Sequence, residues 1–98
     1  MSYNRPLTSG PCYLYGLIDP RTGEVFYVGV SWNPTIRLGN HKNDPASSAY
    51  LRCREIIAAG FDVEIEIADV FPSRTSAEGV ERELIRVLPG LTNAGIYR

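Results

Sequence analysis

The 98-residue chain contains no apolar run that approaches the length of a membrane-spanning helix, and its first residues contain no apolar signal core. We therefore expect a protein of the cytoplasm or another intracellular compartment, with no membrane partner. The sequence has only two cysteines, Cys12 and Cys53, which lie far apart along the chain. Buried free thiols are the simplest interpretation, and a disulfide or a metal-binding pair is not expected.

An excess of positive charge is also missing. The 10 Lys and Arg residues are balanced by 11 Asp and Glu residues, which gives a formal net charge of −1. This balance argues against strong non-specific binding of nucleic acid. If the partner is a polyanion, either a few well-placed cations must bind it, or an additional DNA-binding domain or protein partner must do so.

Two strand-like runs, residues 12–18 and 24–29, flank a short stretch of turn-forming residues. Aromatic and β-branched residues on both sides of a turn with Pro and Gly are typical of a β-hairpin. Because side chains alternate between the faces of a strand, the hairpin can place Tyr15 and Tyr27 side by side, with Gly29 leaving room for another group. Tyrosines are also good strand formers, so the hairpin alone is equally consistent with a structural role.

Two helices are predicted after the hairpin. Asn33, as an N-cap, and the proline that follows it predict a helix over residues 34–42. Ser47 or Ser48 is expected to cap a second helix, which ends at Gly60.

The second half of the chain predicts one further strand and one further helix. Residues 61–70 alternate between apolar and acidic side chains, which is typical of a half-buried strand with an acidic outer face. Thr75 and Glu78 have the spacing of a capping box for a last helix over residues 76–88.

The expected fold class is α/β. It consists of a small, three-stranded, largely antiparallel sheet flanked by about three helices. The run 12–18 is almost continuously apolar, which predicts that it forms the central strand. The chain is long enough for a single domain, residues 1–98, with an irregular lead-in over residues 1–11.

The last predicted helix carries one acidic residue on its apolar side. At 100° per residue, Glu81 falls inside the apolar sector, between Leu88 and Ile85. A carboxylate that faces the packed side costs several kcal/mol unless it is paired, hydrogen-bonded or bound to a metal. A metal ligand and a salt bridge to an arginine at the rim of the core both satisfy this requirement.

Three polar residues elsewhere have both a chemical and a structural interpretation. Arg37 and His41 share a face of the first helix, where arginine can bind phosphate and histidine can transfer a proton near neutral pH. Two polar residues on one helix face are also typical of a solvated surface. Asn93 follows the last helix in a position typical of a turn residue.

Taken in order along the chain, these features resemble the GIY-YIG endonuclease superfamily. Tyr15 stands in place of the family's first tyrosine, in Tyr-Leu-Tyr rather than Gly-Ile-Tyr, because the Gly-Leu-Ile-Asp that follows it matches the family's strand. Residues 27–29, Tyr-Val-Gly, match the second motif directly. The resemblance covers residues 12–93 and assigns the family's site positions to Tyr15, Tyr27, Arg37, His41, Glu81 and Asn93.

The resemblance implies a metal-dependent endonuclease that hydrolyses phosphodiester bonds, with DNA as the expected substrate. It implies that Glu81 holds one divalent cation, Mg²⁺ or Mn²⁺, and that Arg37 contacts the phosphate. Either tyrosine is a candidate general base, with His41 as a relay or as the base itself, and Asn93 orients groups in the site. Nucleic-acid contacts are expected from Arg37, Lys42, Trp32 and Tyr13, although Trp32 also suits a buried position beside the hairpin.

Two other functions are compatible with the sequence. The chain could be a non-catalytic nucleic-acid-binding module on the same fold, or a small structural or interaction domain in which Glu81 pairs with Arg37. The presence of the full set of expected catalytic residues favours the enzyme over both.

Overall fold

The computed structural model describes residues 9–94 as one sheet with three helices. Strands β1 (Ser9–Asp19) and β2 (Glu24–Ser31) form the predicted hairpin, and β3 (Glu64–Ser73) is the third strand. The sheet order is β2-β1-β3 and both pairings are antiparallel, so the apolar run 12–18 is central, as predicted. The predicted fold class is therefore confirmed. The predicted irregular lead-in, residues 1–11, overlaps this strand by three residues, because β1 begins at Ser9. Residues 1–8 lie outside the described part of the chain.

The turn of the hairpin closes on the backbone of one buried residue. The carbonyl oxygen of Asp19 accepts hydrogen bonds from the amides of Thr22, at 3.1 Å, and Gly23, at 2.7 Å. Gly23 has a φ angle of 76°, a conformation that glycine adopts without steric cost. Past the turn, Leu17 lies opposite Tyr27 and Ile18 opposite Val25, so β2 bulges by one residue between those two pairs.

The helices are α1 (Pro34–Asn43), α2 (Tyr50–Ala58) and α3 (Arg74–Val87). Asn33 caps α1 as predicted, because its side chain accepts a hydrogen bond from the amide of Ile36 at 3.2 Å. The predicted cap of α2 is wrong. Ala49 occupies that position without a side-chain bond, since the hydroxyl of Ser47 contacts His41 instead.

The start of α3 also differs from the prediction. Ser73, the last residue of β3, caps the helix through a 3.3 Å bond from the amide of Ser76, so no linker separates strand and helix. The predicted capping box is therefore absent. Glu78 instead forms an ion pair with Arg74 at 2.8 Å, one helical turn before it.

Strand β3 is displaced and less buried than the alternating pattern predicted. It begins three residues later, at Glu64, and Phe61 and Ile67 are 51% and 49% exposed rather than facing a core. The strand lies at one edge of the sheet, but β2 at the other edge is mostly buried, so the edge position alone does not account for this exposure. Val63, just before the strand, is buried as the pattern predicted.

Two apolar cores lie on opposite faces of the sheet. Helix α3 contacts all three strands and covers one core, called here the α3-side core, which contains Cys12, Leu14, Val28, Val30, Ala77, Ile85 and Leu91. The other, called the α2-side core, contains Tyr15, Leu17, Phe26, Ala49, Cys53, Ile56 and Val63. Both cysteines are buried and free, as predicted.

Candidate active site

The two hairpin tyrosines lie together on the α2-side face of the sheet. Tyr15 lies opposite Gly29 in the strand pairing, and the Tyr15 and Tyr27 rings stack with centroids 6.2 Å apart. A Cβ atom at position 29 would be 2.7 Å from the Tyr15 Oη atom and 2.9 Å from Cε2 of Tyr27. The sequence predicted that Gly29 leaves room for another group, and that group is the Tyr15 ring itself.

Helix α1 brings His41 against both tyrosines. His41 is fully buried, and its Nε2 atom lies 2.8 Å from the Tyr15 hydroxyl. Its ring centroid is 4.3 Å from that of Tyr27. The other ring nitrogen, Nδ1, lies 2.6 Å from the hydroxyl of Ser47, in the loop that follows α1. Both nitrogens of the imidazole are therefore held by short hydrogen bonds.

Burial keeps these groups uncharged at neutral pH. Desolvation, and then the nearby charge of Arg37, lower the pKa of His41 to about 4. Desolvation raises the pKa of Tyr15 far above its usual value, and the charge of Arg37 only partly opposes this. Desolvation also raises the pKa of Tyr27, and again Arg37 is the main opposing influence. The resting site thus contains neutral phenols beside a neutral imidazole.

Arg37 is the cation of this cluster. It lies one turn before His41 on α1, is half-buried, and its charge acts on both tyrosine hydroxyls, where it lowers their pKa values. No ion pair within residues 9–94 involves its guanidinium, whereas Arg21 and Arg52 both bind carboxylates. The arrangement differs from a solvated helix face, because Arg37 and His41 both contribute to the tyrosine site.

Glu81 lies on the buried stripe of α3, as the helical periodicity predicted. It is only 8% exposed and is flanked one turn away on either side by the buried residues Ala77 and Ile85 of the α3-side core. Its charge contributes to the raised pKa of Tyr27. The carboxylate of Glu81 and the hydroxyl of Tyr27 are thus electrostatically coupled.

The donor chemistry around Glu81 suits a cation that retains much of its water. Within residues 9–94, no group of three or more His, Cys, Asp and Glu side chains is arranged to hold a metal ion. Mg²⁺ does not need such a group, because it dehydrates reluctantly and is commonly bound by one or two carboxylates together with substrate phosphate. A single largely buried carboxylate therefore suits Mg²⁺ or Mn²⁺ and does not suit Zn²⁺, which takes three or four protein ligands.

Asn93 attaches the segment after α3 to the outer edge of β2. It is buried, and its Nδ2 atom donates a 2.7 Å hydrogen bond to the carbonyl of Val28. The amide of Thr92 donates to the carbonyl of Phe26 at 2.7 Å, so the attachment has two points. The Oδ1 atom of Asn93 is buried and has no hydrogen-bond partner among the described residues. The visible role of Asn93 is therefore to anchor the backbone, and its role in orienting site groups stays a prediction.

The other residues predicted to contact nucleic acid, Lys42, Trp32 and Tyr13, differ in burial and in the residues that they contact. Lys42 pairs with Asp62 at 3.1 Å on the surface. Trp32 is partly buried against the α3-side core, and the guanidinium of Arg74 lies 4.8 Å from its ring centroid. Tyr13 is partly buried on the central strand, opposite Ser31. Contacts of these three with nucleic acid stay predictions.

The sequence interpretation missed Ser47 as part of the site. It considered this residue only as a helix cap, whereas its hydroxyl lies 2.6 Å from the imidazole of His41. Residues six apart are not neighbours on a helix, and the contact arises because the loop after α1 turns back. A serine close behind a candidate catalytic histidine was the only available signal.

The fold is a small α/β domain with a tyrosine–histidine–arginine cluster on one face of the sheet and a buried glutamate on the helix that covers the other face. Residues 11–89 match the family profile described as the GIY-YIG catalytic domain, and the chain therefore belongs to the GIY-YIG family. Members of this family are generally nucleases, which implies a nucleic-acid substrate. No curated protein and no solved structure shows significant similarity to the chain. None of the helices within residues 9–94 has the length and apolar character needed to cross a membrane.

Proposed function

We propose that the chain is a metal-dependent endonuclease that hydrolyses phosphodiester bonds in DNA with a single Mg²⁺ or Mn²⁺ ion. The observation that carries the proposal is the convergence of Tyr15, Tyr27 and His41 on one face of the sheet, with Arg37 beside them. Hydrolysis of a phosphodiester needs a proton acceptor for water, neutralisation of charge at phosphorus and help for the leaving oxygen. The cluster offers candidates for the first two.

Tyr27 is the better candidate for the general base. A base must come within hydrogen-bond reach of the attacking water. Tyr15 is only 1% exposed and its hydroxyl is already bonded to His41, whereas Tyr27 is half-buried and reaches solvent. In its deprotonated form, Tyr27 would take one proton from water as the water oxygen attacks phosphorus. The low pKa of His41 makes the imidazole itself a weak base.

Arg37 supplies the fixed positive charge. Its planar guanidinium can donate two parallel hydrogen bonds to the non-bridging oxygens of a phosphate, where negative charge increases in the transition state. Its charge also favours deprotonation of Tyr27, because it opposes the effect of burial on the pKa of that group. One residue thus serves both the base and the phosphate.

Glu81 is the proposed metal ligand. When bound there, the cation would polarise a phosphate oxygen and lower the pKa of a coordinated water. The net charge of −1 and the exposed acidic residues of β3, Glu64, Glu66 and Asp69, offer little attraction to a polyanion. An additional DNA-binding domain or a protein partner is therefore part of the proposal.

The test is a cleavage assay on linear and branched DNA with and without Mg²⁺. Replacing Glu81 with Gln keeps the shape of the side chain and removes the charge, so we expect cleavage to fall by at least about 100-fold while the melting temperature changes little. Glu83→Gln is the matched control, because Glu83 lies on the same helix but is exposed and, within residues 9–94, pairs with Arg86 alone. Tyr27→Phe should lower cleavage more than Tyr15→Phe.

The other outcomes distinguish the alternative functions. DNA binding by the wild-type chain without cleavage under any metal condition would favour the non-catalytic module. Full activity of the Glu81→Gln variant would remove Glu81 from the mechanism. Large destabilisation of that variant, with neither binding nor cleavage by the wild type, would favour a structural domain in which the carboxylate serves an ion pair.

A further inference from the structure

Ser47 is held in place by contacts on both sides of its hydroxyl. The Oγ atom accepts a hydrogen bond from the amide of Ala49 at 3.1 Å and lies 2.6 Å from Nδ1 of His41. The backbone of Ser47 is fixed as well, since its amide donates to the carbonyl of Asp44 at 3.0 Å and its carbonyl accepts from Tyr50 at 3.1 Å. The loop between α1 and α2 therefore presents this hydroxyl to the imidazole.

The direction of these bonds determines where the single proton of the neutral imidazole lies. A neutral imidazole has one nitrogen that donates and one that accepts. The Ser47 hydroxyl accepts from Ala49 and can donate its own proton to Nδ1. If it does so, Nδ1 accepts, and the imidazole proton lies on Nε2, which is 2.8 Å from the Tyr15 hydroxyl.

We propose that Ser47 is a positioning residue that holds His41 as the Nε2-protonated tautomer and thereby orients the hydroxyl of Tyr15. In this arrangement the Tyr15 oxygen accepts a bond from His41, so its own proton points towards another acceptor. In this proposal that acceptor is the hydroxyl of Tyr27, whose ring stacks on the Tyr15 ring with centroids 6.2 Å apart. Hydrogen bonds donated to a phenolate favour its formation.

The proposal assigns an order to the buried chain of hydrogen bonds. The donors run from the Ala49 amide through Ser47 and His41 to Tyr15, and the last acceptor is Tyr27. The effect on rate rests on the proposed nuclease function, whereas the tautomer of His41 does not. The opposite order, in which Tyr15 donates to Nε2 and Nδ1 donates to Ser47, would leave Tyr27 without this donor.

The decisive measurement is the tautomer of His41 by long-range ¹H–¹⁵N NMR at pH 7. His41 is the only histidine of the chain, so its ring signals need no separate assignment. We expect the Nε2-protonated pattern in the wild type and in Ser47→Thr, and a mixture of tautomers in Ser47→Ala. Ser48→Ala is the matched control, because Ser48 is the exposed neighbour and should leave the pattern unchanged. An Nδ1-protonated imidazole in the wild type would overturn the proposal.

The kinetic arm tests whether the tautomer matters for the reaction. If the chain cleaves DNA as proposed, Ser47→Ala should lower kcat by about 10- to 100-fold with KM nearly unchanged, and Ser47→Thr should restore it. An unchanged kcat in a folded Ser47→Ala protein with mixed tautomers would contradict a positioning role. If the wild type cleaves nothing, the nuclease proposal fails, and the NMR result still decides whether Ser47 sets the tautomer.

Discussion

Two clusters of buried polar groups lie on the same strand and differ in how their hydrogen bonds are used. At the hairpin turn, the fully buried carboxylate of Asp19 accepts bonds from the amide, Nε and Nη2 of Arg21, and from Nε of Arg52, at 2.8 to 3.1 Å for the shortest contact of each donor. Further along β1, Tyr15 and His41 bond to each other, but Tyr27 reaches solvent. Burial of polar groups is common to both clusters, so burial alone does not identify a functional site.

The protonation states show the same contrast. Hydrogen bonds from Arg21 hold the pKa of Asp19 well below its usual range, so this cluster is stabilised in its charged form. Desolvation shifts the pKa values of Tyr15 and His41 towards their neutral forms. The Asp19 cluster is closed because each charge has its counter-charge. Tyr15 and His41 are neutral, and Arg37 beside them forms no ion pair within residues 9–94, so the tyrosine cluster can still gain stabilisation from a bound anion.

The largest stability effect is expected from breaking the closed cluster. Asp19→Asn leaves Arg21 and Arg52 beside a neutral amide, and we expect a loss of about 3 kcal/mol, at the low end for a buried pair because both arginines are partly exposed. This corresponds to a fall in melting temperature of roughly 10 to 20 °C for a domain of this size. Urea unfolding monitored by circular dichroism measures the free energy.

A neighbouring carboxylate provides the control for that experiment. Glu55 contacts Arg21 at 2.9 Å but is exposed, so Glu55→Gln should leave the free energy of unfolding almost unchanged. Cleavage per folded molecule should be retained in Asp19→Asn, in contrast to the expected loss in Glu81→Gln. Equal loss of activity and stability in both variants would mean that the two clusters are not functionally distinct.

The second effect concerns pH. The pKa of His41 falls from 6.5 to about 4 on folding, so the unfolded chain binds a proton that the folded chain does not bind between these pH values. The contribution of neutral His41 to folding stability is therefore fully present above about pH 6.5. We expect the free energy of unfolding to fall by about 3 kcal/mol as the pH falls to about 4. Urea unfolding at pH 7, 5.5 and 4.5 measures the slope.

The variant His41→Gln isolates this contribution. Its side chain has no proton to bind in that range, so the slope above pH 4.5 should largely disappear. Asp19 affects the pH dependence of stability only below about pH 4. Its pKa is lower in the folded chain than in the unfolded chain, so its stabilising contribution is lost as the carboxylate is protonated below that pH. A wild type with constant stability from pH 7 to pH 4.5 would contradict the burial of a neutral imidazole.

Much of the fold followed from local patterns in the sequence. Turn residues and β-branched runs placed the hairpin, and the apolar run 12–18 identified the central strand. Asn33 marked the start of α1. Helical periodicity alone placed Glu81 on the buried side of α3. These predictions succeeded because each depends on residues within one element.

The parts that the sequence did not predict depend on contacts between elements. The bond between Ser47 and His41 requires the path of a loop, and the Asp19 cluster requires Arg52 of α2 to reach the hairpin turn. The exposure of Ile67 depends on how far other elements cover β3, which an alternating pattern within the strand cannot show. Such contacts bring together residues that are distant in the sequence, so a periodic pattern within one element cannot predict them.

The smallest of the expected effects breaks the tyrosine cluster alone. A Cβ atom at position 29 would lie 2.7 Å from Oη and 2.8 Å from Cζ of Tyr15, closer than any ordinary contact. The ring cannot move away freely, because its hydroxyl is held by His41 at 2.8 Å. We expect Gly29→Ala to cost about 1 to 3 kcal/mol and to change the NMR signals of the His41 ring, with no effect on the Asp19 cluster.

Gly39 provides the matched glycine for this last test. It lies within α1, and an added Cβ there meets no atom within 4 Å, so Gly39→Ala should raise stability by up to about 1 kcal/mol through helix propensity. The two substitutions add the same methyl group and should shift stability in opposite directions. If Gly29→Ala were as stable as the wild type, with unchanged His41 signals, the Tyr15 ring would not be packed over β2. The hydrogen bond between Tyr15 and His41 would then lose its structural basis, and with it the difference between the tyrosine cluster and the closed Asp19 cluster.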